Sequence, residues 1–150
     1  MTPLTRIAVQ NEDFSLADEY ERLQNQVECG AIVSFSGRVR DLATTPLLHM
    51  TLEHYPGMTE KALADIVQQA RTRWPLGMIT VIHRVGKLAV NEQIVLVLVS
   101  SAHRQAAFNA CEFIMDFLKS RAPFWKKETT TDGTHWVEAK ASDEAAVKRW

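Results

Sequence analysis

The sequence predicts an α+β (mixed α/β) fold with an antiparallel or mixed sheet and a long helix at about 102–121. Three observations carry this. Stretches with strand-like alternation and stretches with helical periodicity succeed one another along the whole chain. Two strand-like stretches, 124–130 and 134–139, are neighbours joined at Asp132-Gly133, a favoured hairpin dipeptide. Adjacent strand pairs of this kind argue against a purely doubly wound parallel sheet. With 150 residues, a single domain over 1–150 is expected, large enough to bury a real core.

The elements follow in order. Ile7 and Val9 mark a short first strand. Ser15 followed by Asp18 has the spacing of a capping box and opens a helix expected to run to about Val27. From Ala31 to Arg40 the chain alternates, with Ala31, Val33, Phe35, Gly37 and Val39 on one face and Arg38 and Arg40 ending the other. Leu48, Met50 and Leu52 share one face of the next strand. Thr59 to Trp74 is helical, with Ala62, Leu63, Ile66, Val67 and Ala70 recurring at the right spacing, and Pro75-Leu76-Gly77 ends it.

Met78 to Val85 is a strand, followed by a turn near Gly86-Lys87. Glu92 to Ser100 is apolar on both faces, as a buried strand requires. Ser101 is the expected N-cap of the long helix, whose buried stripe is Ala107, Ala110, Ile114 and Leu118 and which Pro123 stops. Ser142 is the expected cap of a last short helix reaching Trp150.

Composition excludes several classes of function. Lys plus Arg is 17 and Asp plus Glu is 18, a formal charge of −1, so a wholesale nucleic-acid binder is not expected. The strongest apolar run, Ile94 to Val99, is far short of the ~20 residues a bilayer span needs, and residues 1–6 lack the apolar stretch of a secretory signal. Two cysteines, Cys29 and Cys111, cannot build a disulfide framework, and a cytosolic setting is expected. No metal or cofactor is expected: there is no His/Cys spacing for zinc, no phosphate-binding loop around Gly86-Lys87 and no nucleophile elbow.

An anion site must then be a local cluster of basic side chains, and there are three candidates. Arg38 and Arg40, two apart on a strand, stand about 6.6 Å apart on one face and could hold a phosphate, or could be a solvated strand end. His103 and Arg104 in the first turn of the long helix would sharpen an anion site at its N-terminus, or be a surface arginine beside a self-satisfied histidine. Lys119 and Lys126 flank Phe124 and Trp125, whose apolar walls could lower a lysine pKa. The alternative is a helix-capping lysine and an exposed one. His83 lies on the apolar face of its strand and is expected to be a core histidine, and the two cysteines to be small hydrophobes.

Taken together, Gly37-Arg38-Val39-Arg40, Leu52-Glu53-His54-Tyr55, Ser101-Ala102-His103-Arg104, Phe113 to Asp116, Lys119, the block from Arg121 to Glu128 and Trp136-Val137-Glu138 occur in an order that resembles the large, catalytic subunit of molybdopterin synthase over nearly the whole chain. The resemblance implies a hammerhead-like fold and a sulfurtransferase in molybdenum cofactor biosynthesis. It converts cyclic pyranopterin monophosphate into molybdopterin with sulfur carried as a thiocarboxylate on the C-terminal Gly-Gly tail of a small ubiquitin-like subunit. It also implies a central homodimer with a small subunit at each end, a heterotetramer.

Carried over by position, Lys119 and Lys126 match the catalytic lysines. Arg38, Val39, Arg40, His103 and Arg104 match the substrate-binding positions, and Lys127 and Glu128 lie in the same segment. Two departures stand out: the loop Asp41 to Pro46 has no glycine, and Lys140 stands where some relatives carry arginine, which keeps the charge but loses the bidentate fork. Which lysine moves a proton and which neutralises phosphate is left open by the resemblance.

His103 and Lys119 are 16 residues apart on what is expected to be one helix, about 24 Å along the axis. They are about 160° apart around it. One pterin phosphate cannot touch both within a single straight helix, which implies a composite site shared by two subunits. A non-catalytic module binding the same ligands is the competing expectation; a thioesterase lacks a nucleophile.

Overall fold

The computed structural model describes residues 4–138 and 140–150. In chain order the elements are β1 (Thr5–Gln10), α1 (Leu16–Glu21), β2 (Ala31–Arg38), β3 (Leu47–His54), α2 (Met58–Arg73), β4 (Ile79–Arg84), β5 (Gly86–Leu88), β6 (Gln93–Ser101), α3 (Arg104–Arg121), β7 (Phe124–Thr130), β8 (Gly133–Val137) and α4 (Ala141–Val147). They form two four-stranded sheets, ordered β1-β4-β6-β2 and β5-β3-β7-β8. In the first, β1 and β4 are parallel while β4–β6 and β6–β2 are antiparallel. The second is antiparallel throughout. The mixed α+β expectation therefore holds.

The strands apolar on both faces take the centre of the first sheet. β4 is buried at every residue and β6 from Val95 onward, because α2 and α3 cover one face and the α1 segment the other. On the helix side Leu63, Ile66, Val67 and Ala70 of α2 and Ala110, Phe113, Ile114 and Leu118 of α3 pack on Val81, Val97 and Val99. On the other side Leu23 meets Met78, Ile82, Leu96 and Leu98. A third cluster, Val39, Leu47, Met50, Leu52 and Leu88, backs the second sheet.

Several boundaries differ from expectation for physical reasons. Ser15 caps α1, accepting from the Asp18 N–H at 3.2 Å, but the helix stops at Glu21 instead of Val27. Gln26 is drawn off to accept from the Met78 N–H and from Ser100 Oγ. Leu48 is 54% exposed, and Leu47 takes its place inside, because the β3 register shifts between Leu47 and His49. Gly86-Lys87 is no simple turn: with Leu88 it forms β5 against β3, which buries Leu88 completely.

Ser101 is not the cap of α3. It remains in β6 opposite Ala31 and gives its hydroxyl to Pro75 O, so the chain stays extended through His103, the true N-cap. The last helix likewise starts from Lys140 as N-cap, not Ser142. Of the predicted strand 134–139, β8 covers residues to Val137, and Ala139 lies outside the described residues.

Phe113 is the most heavily used aromatic of the helix layer. It is fully buried and meets Trp74 edge-on with centroids at 5.5 Å and Phe117 at 4.5 Å. Phe113→Ala is expected to cost about 3–5 kcal/mol. Urea unfolding measures this directly, and a midpoint equal to the parent's would show that this ring does not anchor the layer.

Candidate functional site

β7 alternates, and its register on β3 decides what each side chain sees. Phe124 pairs with His54, Lys126 with Leu52 and Glu128 with Met50. Paired residues share a sheet face, so Phe124, Lys126 and Glu128 lie over the apolar inner side with Leu52 and Met50. Lys127 and Trp125 point the other way, opposite Thr51 and Glu53.

Between this inner face, the end of the first sheet and the C-terminal turns of α3 lies a cavity of about 640 Å³. That volume suits a small-molecule site. α3 contributes Met115, Leu118 and Lys119, and its stop at Pro123 returns the chain as β7 with Phe124 and Lys126. Arg38, Val39 and Arg40 enter from the end of β2.

The ladder ends at Arg38 and not, as predicted, at Arg40: the β2–β6 register shifts between Gly37 and Arg38, and Val39 bonds instead to the loop before β6, at Glu92 O and through Asn91 N–H. Val39 is buried between two exposed arginines, so the alternation persists beyond the strand. Arg38 is held by Asn91, whose carbonyl and side-chain oxygens accept its Nη1 at 3.2 and 3.1 Å. Gly37 is required by close approach, since a Cβ there would stand 2.8 Å from Val95 Cγ1.

The cavity thus gathers Arg38, Val39, Arg40, Lys119, Lys126 and Glu128 from the predicted set, and adds Lys140. Three predicted residues are elsewhere. His103 and Arg104 are exposed at the far end of α3. Lys127 is on the outer face, 3.4 Å from Glu53 Oε1 and 4.8 Å from the Trp136 ring centroid.

Electrostatics single out two groups. Burial lowers the Lys126 pKa, Glu128 opposes that shift, and Lys119 and Lys140 reinforce it. His83 is buried, as expected of a core histidine, but it also lines the cavity. Its ring stacks on Phe124 with centroids 3.9 Å apart and planes 20° apart. Desolvation pushes its pKa down to about 4, against the helpful bond to Arg84 O and with the Lys119 charge adding to the fall. Sequence periodicity placed His83 inside but could not show that the inside there is a cavity wall. Met115 was not among the expected site residues, although its place one turn before Lys119 on α3 is a signal that puts both on one face.

No cysteine serves the cavity. Cys111 is buried with its thiol pushed up to about 12 by desolvation and by the Glu112 carboxylate, and Cys29 is a free, half-buried thiol. Among the described residues no three His, Cys, Asp or Glu side chains form a metal-binding group. No helix among them is long and apolar enough to cross a membrane.

A neutral buried histidine makes the fold acid-sensitive. Between its ordinary pKa of about 6.5 and its depressed native value of about 4, the unfolded chain binds a proton that the native chain refuses, so stability falls as pH falls through that window. Replacing His83 by Phe should remove on the order of a few kcal/mol of that loss. Urea midpoints at about pH 7 and about pH 4 measure it, and an unchanged pH dependence in the variant would contradict the assignment.

Known proteins resemble this chain throughout. Residues 9–121 match the MoaE protein family. The molybdopterin synthase catalytic subunit of Vibrio cholerae is 56% identical over 146 residues, covering 97% of each chain. The MoaE protein of Burkholderia ambifaria superposes with a TM-score of 0.84 at 48% identity, covering 97% of each chain. The molybdopterin synthase of Staphylococcus aureus superposes with a TM-score of 0.81 at 32% identity, covering 92% of this chain and 99% of the other.

Proposed function

The chain belongs to the MoaE protein family, and from that premise we propose that it is the catalytic subunit of a molybdopterin synthase, a single domain over residues 1–150 acting as a sulfurtransferase in molybdenum cofactor biosynthesis. The carrying observation is a cavity of about 640 Å³ lined by five cations, Lys119, Lys126, Arg38, Arg40 and Lys140, against three carboxylates, Glu128, Glu138 and Asp143, although the whole chain has a formal charge of −1. A phosphorylated pterin is the kind of anion such a cavity accepts. The absence of a reactive thiol among its lining residues fits a sulfur that arrives on a partner, as a thiocarboxylate at the Gly-Gly end of a small ubiquitin-like subunit.

In this proposal the thiocarboxylate sulfur attacks a side-chain carbon of cyclic pyranopterin monophosphate and forms an acyl–sulfur–carbon link, while the bond from that carbon to an oxygen of the cyclic phosphate breaks, opening the ring and leaving the electron pair on the phosphate. Water then cleaves the acyl–sulfur bond, leaving the sulfur on the pterin side chain and a carboxylate on the tail. A second tail delivers its sulfur to the neighbouring side-chain carbon, whose oxygen leaves as water, and hydrolysis of that acyl–sulfur bond completes the dithiolene. Lys126, half-buried and with a lowered pKa, gives up and regains a proton more easily than a solvated lysine, which suits it to proton transfer. Lys119, exposed at the cavity mouth, suits the charge on the entering tail and on the leaving groups. Arg38, anchored by Asn91, Arg40 and Val39 line the substrate side, and the Glu128 charge opposes the fall in the Lys126 pKa. Two free cysteines accord with a reducing, cytoplasmic setting.

His103 and Arg104 remain to be placed. They sit at the opposite end of an 18-residue helix from Lys119, beyond the reach of one ligand. We assign them to the active site of a second copy: Lys119 and Lys126 from one subunit, with His103 and Arg104 of the partner subunit, arranged by a twofold axis at the centre of a heterotetramer. Lys127, facing away from the cavity, is assigned to the surface around the site.

Lys119→Ala should lower dithiolene formation by about a hundredfold or more while the small subunit still co-elutes with the chain. Loss of the complex instead would make Lys119 a docking residue. A dimer mixed from His103→Ala and Lys119→Ala chains should regain one intact site and part of the activity. A proven heterodimer with no recovery would reject the shared site, and a parent chain that binds thiocarboxylated carrier and precursor yet yields no dithiolene would be a binding module.

A further inference from the structure

The corner between the two lysines is held from outside the cavity. Lys119 stands four residues before Pro123 and Lys126 three after it, and the flanking Ala122 and Phe124 both line the cavity. The β3–β7 ladder runs as far as His54 opposite Phe124, so the next pair in register is Tyr55 opposite Pro123. Proline has no N–H, and the ladder stops there. A side chain takes over. Thr59, in the first turn of α2 and fully buried, accepts from the Tyr55 N–H at 3.0 Å and donates its hydroxyl hydrogen to Pro123 O at 3.0 Å. Its own N–H donates to Tyr55 O at 2.8 Å, so Thr59 holds both backbone groups of Tyr55. The base of this rung is firm: Glu60 closes the start of α2 by accepting from the Gly57 N–H at 3.0 Å, and Leu63, Ile66 and Val67 pack the helix into the core.

We propose that Thr59 is a positioning residue for the lysine pair: its hydroxyl is the rung that fixes the Pro123 corner, and with it the placement of Lys119 on α3 relative to Lys126 on β7. Within the corner the Phe124 N–H turns back to Ala122 O at 2.9 Å, and Pro123 O has Thr59 as its only side-chain partner among the described residues. A hydroxyl both accepts and donates, which a rung between an N–H and a carbonyl requires; valine has the same shape and does neither. Thr59 is sealed away from the cavity, so it acts only through the corner. The assignment rests on Lys119 and Lys126 being the catalytic pair.

Two measurements on the full chain test it, comparing Thr59→Val with Thr59→Ser. The first needs no ligand. The Lys126 pKa is lowered by burial, among Glu128 of its own strand, Lys119 of α3, and Lys140 and Asp143 at the start of α4. In 13C-lysine spectra titrated with pH, Thr59→Val should admit water at the corner and move the Lys126 pKa up toward the ordinary lysine value, while Thr59→Ser keeps the parent's. An unmoved pKa in Thr59→Val overturns the proposal whatever the enzyme's activity. In the complete assay with the small subunit, Thr59→Val should lose about tenfold in kcat with KM little changed, because the arginines of the cavity are untouched. Thr59→Ser, which keeps the hydroxyl, should retain most of the parental kcat. Parental kcat in Thr59→Val overturns the proposal, and so does a Thr59→Ser chain no faster than Thr59→Val. If Thr59→Val does not fold, Thr59→Ala, which loses the hydroxyl without setting a second methyl against the two backbone groups, takes its place in both measurements. A parent chain that makes no dithiolene defeats the functional assignment instead, and the titration still decides whether the hydroxyl sets the corner.

Discussion

The pairing of β7 with β3 is the constraint on which the site depends. A strand has a side-chain period of two, so sliding β7 by one residue would turn Lys126 and Glu128 to the outside and bring Lys127 and Trp125 in. Met50, Leu52 and Leu88 belong to one buried cluster, which fixes the inner face of β3 against which β7 is registered. The hairpin to β8 repeats the constraint, pairing Lys126 with Val137 and Lys127 with Trp136. Gly133, at φ +123, supplies the turn that most residues would strain to make.

The cavity is cationic in a chain whose charges nearly cancel, and it becomes so by sorting. Arginines outside it are consumed by structural work: Arg6 bonds Glu19, Arg84 lies against Glu92, Arg149 binds Asp116, and Arg71 holds the chain at Leu4 and Gly77. Those inside it are left facing the void, with Arg38 steadied by neutral oxygens of Asn91 instead of a carboxylate. The cations of the lining outnumber the carboxylates that share it, Glu128, Glu138 and Asp143, so positive charge remains for a ligand.

Much of this was legible in the sequence. Periods of two and 3.6 located β6, α2, α3 and β7, because burial on one or both faces is what those periods encode. The lysines at 119 and 126 could be paired because Pro123 must stop the helix and reverse the chain between them. Failures came where a side chain was claimed by a distant partner. Ser101 had the composition of a cap but was held in its strand by Pro75 O, and Gln26 left a helix to serve Met78 and Ser100. Lys127 was expected on the substrate side next to the catalytic Lys126, and only the register shows that it faces away. The role of His83 as a cavity wall was invisible, since it needs the second sheet to pass over it.

The cavity adjoins the carboxyl end of α3, where the last carbonyls carry partial negative charge. The backbone there repels an anion, unlike the amide-lined helix starts that grip phosphates in many enzymes. Attraction there comes from charged side-chain heads, which ions in solution can screen. A grasp of that sort loosens readily as the salt around it rises.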